Sequence, residues 1–216
     1  MILGYYKYKL KSVILDSWFN MKLRLKGHNI GSGCHLRMTK FTGLTSIRDD
    51  VSIGEGVWLG VNITIGRAAK ISRLTIGDNS HIESGVICTG YGSGKISMGK
   101  ECYVGINNIL DWSDDITIGD FVQIAGPSTA LWTHSGAPMC INSIPLDQKG
   151  KRFRPTKPIV IGSNVYIGGN CTIYPGVTIG HHSIVAPNSA VTKDVPPFSL
   201  VGGVPARMIK KINDEV

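Results

Sequence analysis

The sequence predicts a mainly β fold of the parallel β-helix type, and three observations carry that expectation. The first is a six-residue period. Hexads open at Ile161, Ile167, Ile173, Ile179, Val185 and Val191, and four places after each opening stands Val165, Cys171, Val177, Ser183, Ser189 or Val195. That interval is neither the 3.6 of a helix nor the 2.0 of a strand, and it marks stacked units that each bury one face against the next. The second is glycine, 27 residues of 216, often at the second hexad position (162, 168, 180), where a corner is expected and a missing Cβ tolerates unusual dihedrals. The third is a charged fraction of only 18%, suited to one long aliphatic core. Three hexads close a triangular coil, so Ile161 should lie beneath Ile179, Ile167 beneath Val185 and Ile173 beneath Val191, about 4.8 Å apart.

Residues 1–28 precede the coils. Tyr5, Tyr6, Leu10, Val13, Ile14, Trp18, Phe19 and Met21 are mixed there with six basic residues within positions 1–26, which reads as one or two short amphipathic helices. Such a segment can cap the first coil, whose open edge would otherwise pair with another chain, and can also lie on an anionic membrane surface.

Coils run from about residue 29 to 204. They are clear at Ile53, Leu59 and Ile65, then slip: Ile71 to Ile76, Cys88 to Met98 and Leu110 to Ile118 are not six-residue steps. Small corner insertions account for these slips. After Ile118 and Ile124 the hexad opening at Ala130 reaches His134, and residues 135–158 then break the pattern with a loop rich in Pro and base. A loop of that length inside a solenoid is usually functional or mobile. The repeat resumes at Ile159, and residues 205–216 read as a short C-terminal helix.

Net charge is +8, with +5 in residues 1–26, +4 in 135–158 and about −1 elsewhere. Basic character thus belongs to two appendages, and no nucleic-acid partner is expected. No apolar run is long enough to span a bilayer and no cleavable leader is evident, so the expected location is cytoplasmic, with peripheral contact to the inner face of the membrane through residues 1–26. The five Cys (34, 88, 102, 140, 171) have no metal-ligand spacing and read as free thiols. No metal site is expected.

The hexads, Val191-Thr-Lys-Asp-Val-Pro-Pro, Gly202-Gly-Val-Pro-Ala-Arg-Met-Ile-Lys and His134 together resemble the hexapeptide-repeat acyltransferases, in particular the maltose and galactoside type of sugar O-acetyltransferase. The resemblance implies a left-handed coil, a homotrimer with sites between subunits, and acetyl-CoA as co-substrate. It makes His134 the general base that takes the proton of an attacking hydroxyl. It places Gly168 and Gly169 by the thioester, Gly169 offering its amide to the oxyanion, Pro187 along the pantetheine arm, and Thr192, Lys193, Arg207 and Lys210 at the rest of coenzyme A, the cations meeting phosphates.

Asn107, Asp111 and Asp114 from the preceding coil are candidates to fix the His134 tautomer. Asn107 and Asp111 also count, with Trp112 and Trp132, as expected acceptor contacts. The two Trp are third in their hexads and should point outward one coil apart, where they could stack on a sugar ring or pack at an interface. The family often carries a second His soon after the first; here the chain reads Thr133-His134-Ser135-Gly136, which leaves the acceptor open. The expected acceptor is a glycan of cell-surface biosynthesis. An amino-sugar N-acetyltransferase, a xenobiotic acetyltransferase and a non-catalytic β-helix scaffold are the alternatives. A γ-class carbonic anhydrase would need three converging His, and no His-x4-His spacing suits one.

Overall fold

In the computed structural model, the described residues are 15–212 apart from 33, 37–38, 48–51, 54–56, 60–62, 67–68, 146 and 148–152. The helical reading of residues 1–14 lies outside them. Strands mostly of two or three residues recur in threes, each parallel to its counterparts in the coils above and below, and they build three sheets of ten, eight and seven strands. Numbered as the chain visits them, the first sheet begins at Asn29–Ile30, the second at His35–Leu36 and the third at Lys40–Phe41. The architecture is a left-handed parallel β-helix.

The expected register is present: Ile161 pairs with Ile179, Ile167 with Val185 and Ile173 with Val191. In the first sheet Ile47, Ile65, Ile82, Val104, Ile124, Ile167 and Val185 form one column, each 2% exposed or less. Each contributes about 1.5–3 kcal/mol by leaving water.

The hexad glycines are needed for a different reason from the one the sequence suggested. A Cβ on Gly168 would stand 2.6 Å from the nitrogen of Pro187, and one on Gly180 2.3 Å from that of Pro197. Neither has a positive φ. The left-handed dihedrals fall two residues later, at Asn170 (φ 56°) and His182 (φ 54°); Asn and His are among the residues that tolerate this region best. Glycine here makes room for the next coil.

The three slipped steps read from the sequence share one corner. Ile71 and Ile76, Cys88 and Met98, and Leu110 and Ile118 each bracket the turn from the second sheet to the third. So do Leu131 and Ile161, which bracket the long loop. That loop leaves as Ser135 N donates to Pro155 O at 3.2 Å and rejoins as Lys157 N donates to Thr133 O at 2.8 Å, with His134 and Thr156 bridged antiparallel. It carries a short helix, Ala137–Ile141, anchored by buried Met139.

Two expectations need correction. The hexad placed at Ala130 is one residue out of step, because Leu110 pairs with Leu131, leaving an extra residue in the Gly126-Pro127-Ser128 turn. The C-terminal segment is not a helix either: Ala206–Lys211 is a strand, antiparallel to Ser199–Gly203. Ser199–Gly203 is the last parallel strand of its sheet, and pairing its open edge outweighs the helix-like spacing of Met208, Ile209 and Ile212.

At the other end, residues 15–25 form a helix that covers the first coil. Asp16 Oδ2 meets His35 Nδ1 at 2.8 Å, and Asn20 Nδ2 donates to Cys34 O at 2.9 Å. Among the described residues, no helix is long and apolar enough to cross a membrane.

Candidate active site

The corner between the second and third sheets gathers the polar chemistry. Asp111 ends the strand Ile109–Asp111 and is wholly buried. Its Oδ1 accepts from Ser113 Oγ at 2.6 Å and Ser113 N at 3.1 Å, and its Oδ2 accepts from Thr133 N at 2.9 Å. His134 Nδ1 lies 2.6 Å from the same Oδ2. Thr133 Oγ1 donates to the Asp111 carbonyl at 2.7 Å and accepts from Asp114 N at 2.9 Å, tying the two coils together.

Burial pushes the Asp111 carboxyl up, but the hydrogen bonds from Ser113, His134 and Thr133 outweigh it and hold the pKa below its ordinary 3.8. An ionised carboxylate only accepts, so His134 Nδ1 must carry a proton and donate it to Asp111. The lone pair of the neutral ring then sits on Nε2. A ring held this way can take a proton from a hydroxyl brought to Nε2.

The imidazole is flanked by aromatic rings. Tyr91 stands edge-on with ring centroids 4.9 Å apart, and Trp132 edge-on at 6.0 Å. Beside His134 opens a cavity of about 240 Å³ lined also by Trp132, Ser135, Thr172, Tyr174 and Pro175. The pairing of Leu131 with Ile173 and of Ile173 with Val191 puts Trp132, Tyr174 and Thr192 in one column up the corner. At its top, Lys193 and Arg207 line a second cavity of about 350 Å³ against the C-terminal strand. Lys210 lies further along that strand, opposite Leu200.

Other expected site residues lie elsewhere. Asn107 is an exposed corner residue (φ 56°) between the first and second sheets, at the opposite end of the strand from Asp111. It is therefore not placed to orient His134 or to meet an acceptor held there by the same chain. Asp111 cannot be an acceptor contact, since no part of it reaches the surface and both oxygens are engaged. Asp114 accepts from Thr156 Oγ1 at 2.7 Å and so fastens the returning loop, not the imidazole. Trp112 is level with Thr133 instead of Trp132, and its Nε1 donates to Ser72 Oγ at 2.9 Å beneath the Arg73 guanidinium. Gly168, Gly169 and Pro187 occupy the first-to-second corner, away from His134 within one chain.

Sequence reading missed Tyr91, Ser113, Thr133, Tyr174 and Arg154. Arg154 returns from the long loop with its guanidinium 5.0 Å from the Tyr91 ring, its carbonyl accepts from Tyr91 Oη at 3.0 Å, and its buried Nε has no hydrogen-bond partner. The one available signal was Tyr91 between Gly90 and Gly92 in a stretch that had lost its period. Among the described residues no group of three His, Cys, Asp or Glu is placed to hold a metal ion.

Residues 158–193 match the family described as bacterial transferase hexapeptide (six repeats), and residues 50–89 match the hexapeptide repeat of succinyl-transferase. Both segments thus carry the hexapeptide repeat of known transferases. The chain is 40% identical over 140 residues to the galactoside O-acetyltransferase of Escherichia coli (strain K12), a match covering 65% of this chain and 64% of that protein. It thus spans just under two thirds of that curated relative. Among solved structures, it resembles a mutant of AntD, an N-acyltransferase from Bacillus cereus, in complex with dTDP and coenzyme A, with a TM-score of 0.61, 26% identity and coverage of 72% of this chain and 84% of that one. The polySia-specific acetyltransferase NeuO shares the fold, with a TM-score of 0.53, 23% identity and coverage of 88% and 90%.

Proposed function

We propose that this protein transfers acetyl from acetyl-CoA to a sugar hydroxyl, with His134 as general base and a cell-surface glycan or its precursor as acceptor. The observation that carries the reading is an imidazole pinned at Nδ1 by buried Asp111 beside an aromatic-walled cavity. The 40% identity to a galactoside O-acetyltransferase supports the reaction class.

His134 Nε2 takes the hydroxyl proton as the acceptor oxygen attacks the thioester carbonyl. Asp111 stabilises the imidazolium, and the proton passes to the departing thiolate as the carbon–sulfur bond breaks, so that an ester and coenzyme A are formed. The Trp132 and Tyr174 faces hold the sugar ring. Lys193 and Arg207 meet the phosphates of coenzyme A, with Thr192 and Lys210 nearby. Gly168, Gly169 and Pro187 stand at a different corner from His134, so their use in the same site requires a neighbouring subunit's corner. The proposed assembly is a homotrimer, the assembly the resemblance implies, with the Gly169 amide facing the oxyanion across the interface.

Incubation with acetyl-CoA and a panel of neutral, anionic and amino sugars, read by mass spectrometry, tests the reading. His134→Ala is expected to lower transfer by about 10²–10⁴-fold. Undiminished transfer by this variant would sink the assignment of the base. A second reading, N-acylation of an amino sugar, is supported by the likeness to AntD. Mild alkali separates the two, because an O-acetyl ester is cleaved and an amide survives.

A further inference from the structure

The N-terminal helix carries an apolar stripe on its solvent side in addition to the one it buries. Across residues 15–25 the face packed on the first coil presents Asp16, Phe19, Asn20 and Leu23. At about 100° per residue the opposite face is centred on Trp18, Met21 and Leu25. These are 52%, 50% and 80% exposed, and Leu15 beside them is 53% exposed. A surface helix ordinarily turns its polar side chains to water. Here the inward polar groups are engaged, Asp16 with His35 and Asn20 with the Cys34 carbonyl, so rotating the helix to hide its apolar stripe would break both contacts and uncover the core residue Leu23.

The stripe is bordered by cations. Exposed Lys22 lies beside it with its ammonium 3.7 Å from the Trp18 ring, and exposed Lys26 follows one turn later. Residues 1–26 carry a net charge of +5. A second copy laid on the same face would bring like charges together, whereas an anionic lipid surface offers the complementary charge and an apolar layer for the stripe. We propose that this face docks on anionic membranes, with Trp18, Met21 and Leu25 entering the headgroup boundary and Lys22 and Lys26 meeting lipid phosphates. The proposal goes beyond the catalytic reading and does not rest on it.

The test is co-sedimentation of the full chain with vesicles of phosphatidylcholine alone and of phosphatidylcholine mixed with phosphatidylglycerol, at low and high salt. The wild type is expected to pellet with the anionic vesicles, to stay in solution with the neutral ones, and to lose binding as salt screens the attraction. Met21→Ser/Leu25→Ser should weaken partition at least about tenfold, and Lys22→Glu should weaken it separately. All three changes are at exposed positions, and an unchanged thermal melt checks that the variants fold. Three results overturn the proposal: no pelleting with either vesicle, equal pelleting with both, or variants that bind like wild type. A drop in native mass in the double variant, with no vesicle binding by wild type, assigns the stripe to a second copy instead.

Discussion

Asp111 is a buried carboxylate surrounded by donors, and its neighbours determine what a substitution there does. Asp111→Asn replaces one acceptor oxygen with an NH₂ that faces existing donors and no longer fixes the His134 tautomer. Transfer is expected to fall by about 10²–10⁴-fold. Stability should fall by about 1–3 kcal/mol for each buried donor left unpaired. The acid dependence of stability follows from the lowered pKa of this group. Between the folded and unfolded pKa values the unfolded chain binds the extra proton, so stability rises with pH across that window. The contribution is complete above the unfolded value of about 3.9 and is lost as pH falls through the folded one. Urea titrations should therefore show wild type losing more stability than Asp111→Asn on acidification from neutral to below about pH 4; equal losses would refute this assignment. Gly180→Ala tests a purely steric demand. Its Cβ would press on Pro197, and a cost of about 1–3 kcal/mol is expected from thermal melts.

At the scale of elements, the ladders were readable because every third hexad repeats the same packing problem: an aliphatic residue must meet another one coil away. The site was only half readable, because Tyr91 and Arg154 sit in excursions, which have no period. Aspartate at 111 was visible as a candidate, yet nothing in a one-dimensional pattern shows that Ser113 and Thr133 turn inward to hold it. One extra residue near Pro127 was enough to misplace Trp112 beside Trp132. The C-terminal strand was missed because the demand of a sheet edge belongs to tertiary structure. The long loop has its own testable consequence. Arg154 is half-buried with its guanidinium beside the Tyr91 ring, and an anionic acceptor carboxylate or phosphate would meet that charge. Arg154→Ala is expected to raise KM for anionic acceptors by about tenfold while leaving kcat and the KM for neutral ones little changed. A uniform fall in kcat would instead point to a collapsed loop.

For the whole molecule, the separation of His134 from the glycine pair at another corner makes oligomeric state a functional question. Native mass spectrometry should give three chain masses, and conditions that produce folded monomers should abolish transfer; a fully active monomer would refute the shared site. The coil itself is closed at both ends, by residues 15–25 over the first turn and by Ala206–Lys211 along the last strand. The large insertions crowd a single vertical edge, yet the columns on either side keep step: Cys88, Leu110 and Leu131 on one, Met98, Ile118 and Ile161 on the other. Excursion length and coil register are thus decoupled. On the proposed reading, lengthening or replacing an excursion is expected to change which acceptor is admitted while the pairing that sets Asp111 under His134 stays where it is, so that specificity would diverge among such proteins without disturbing the proposed base or the core.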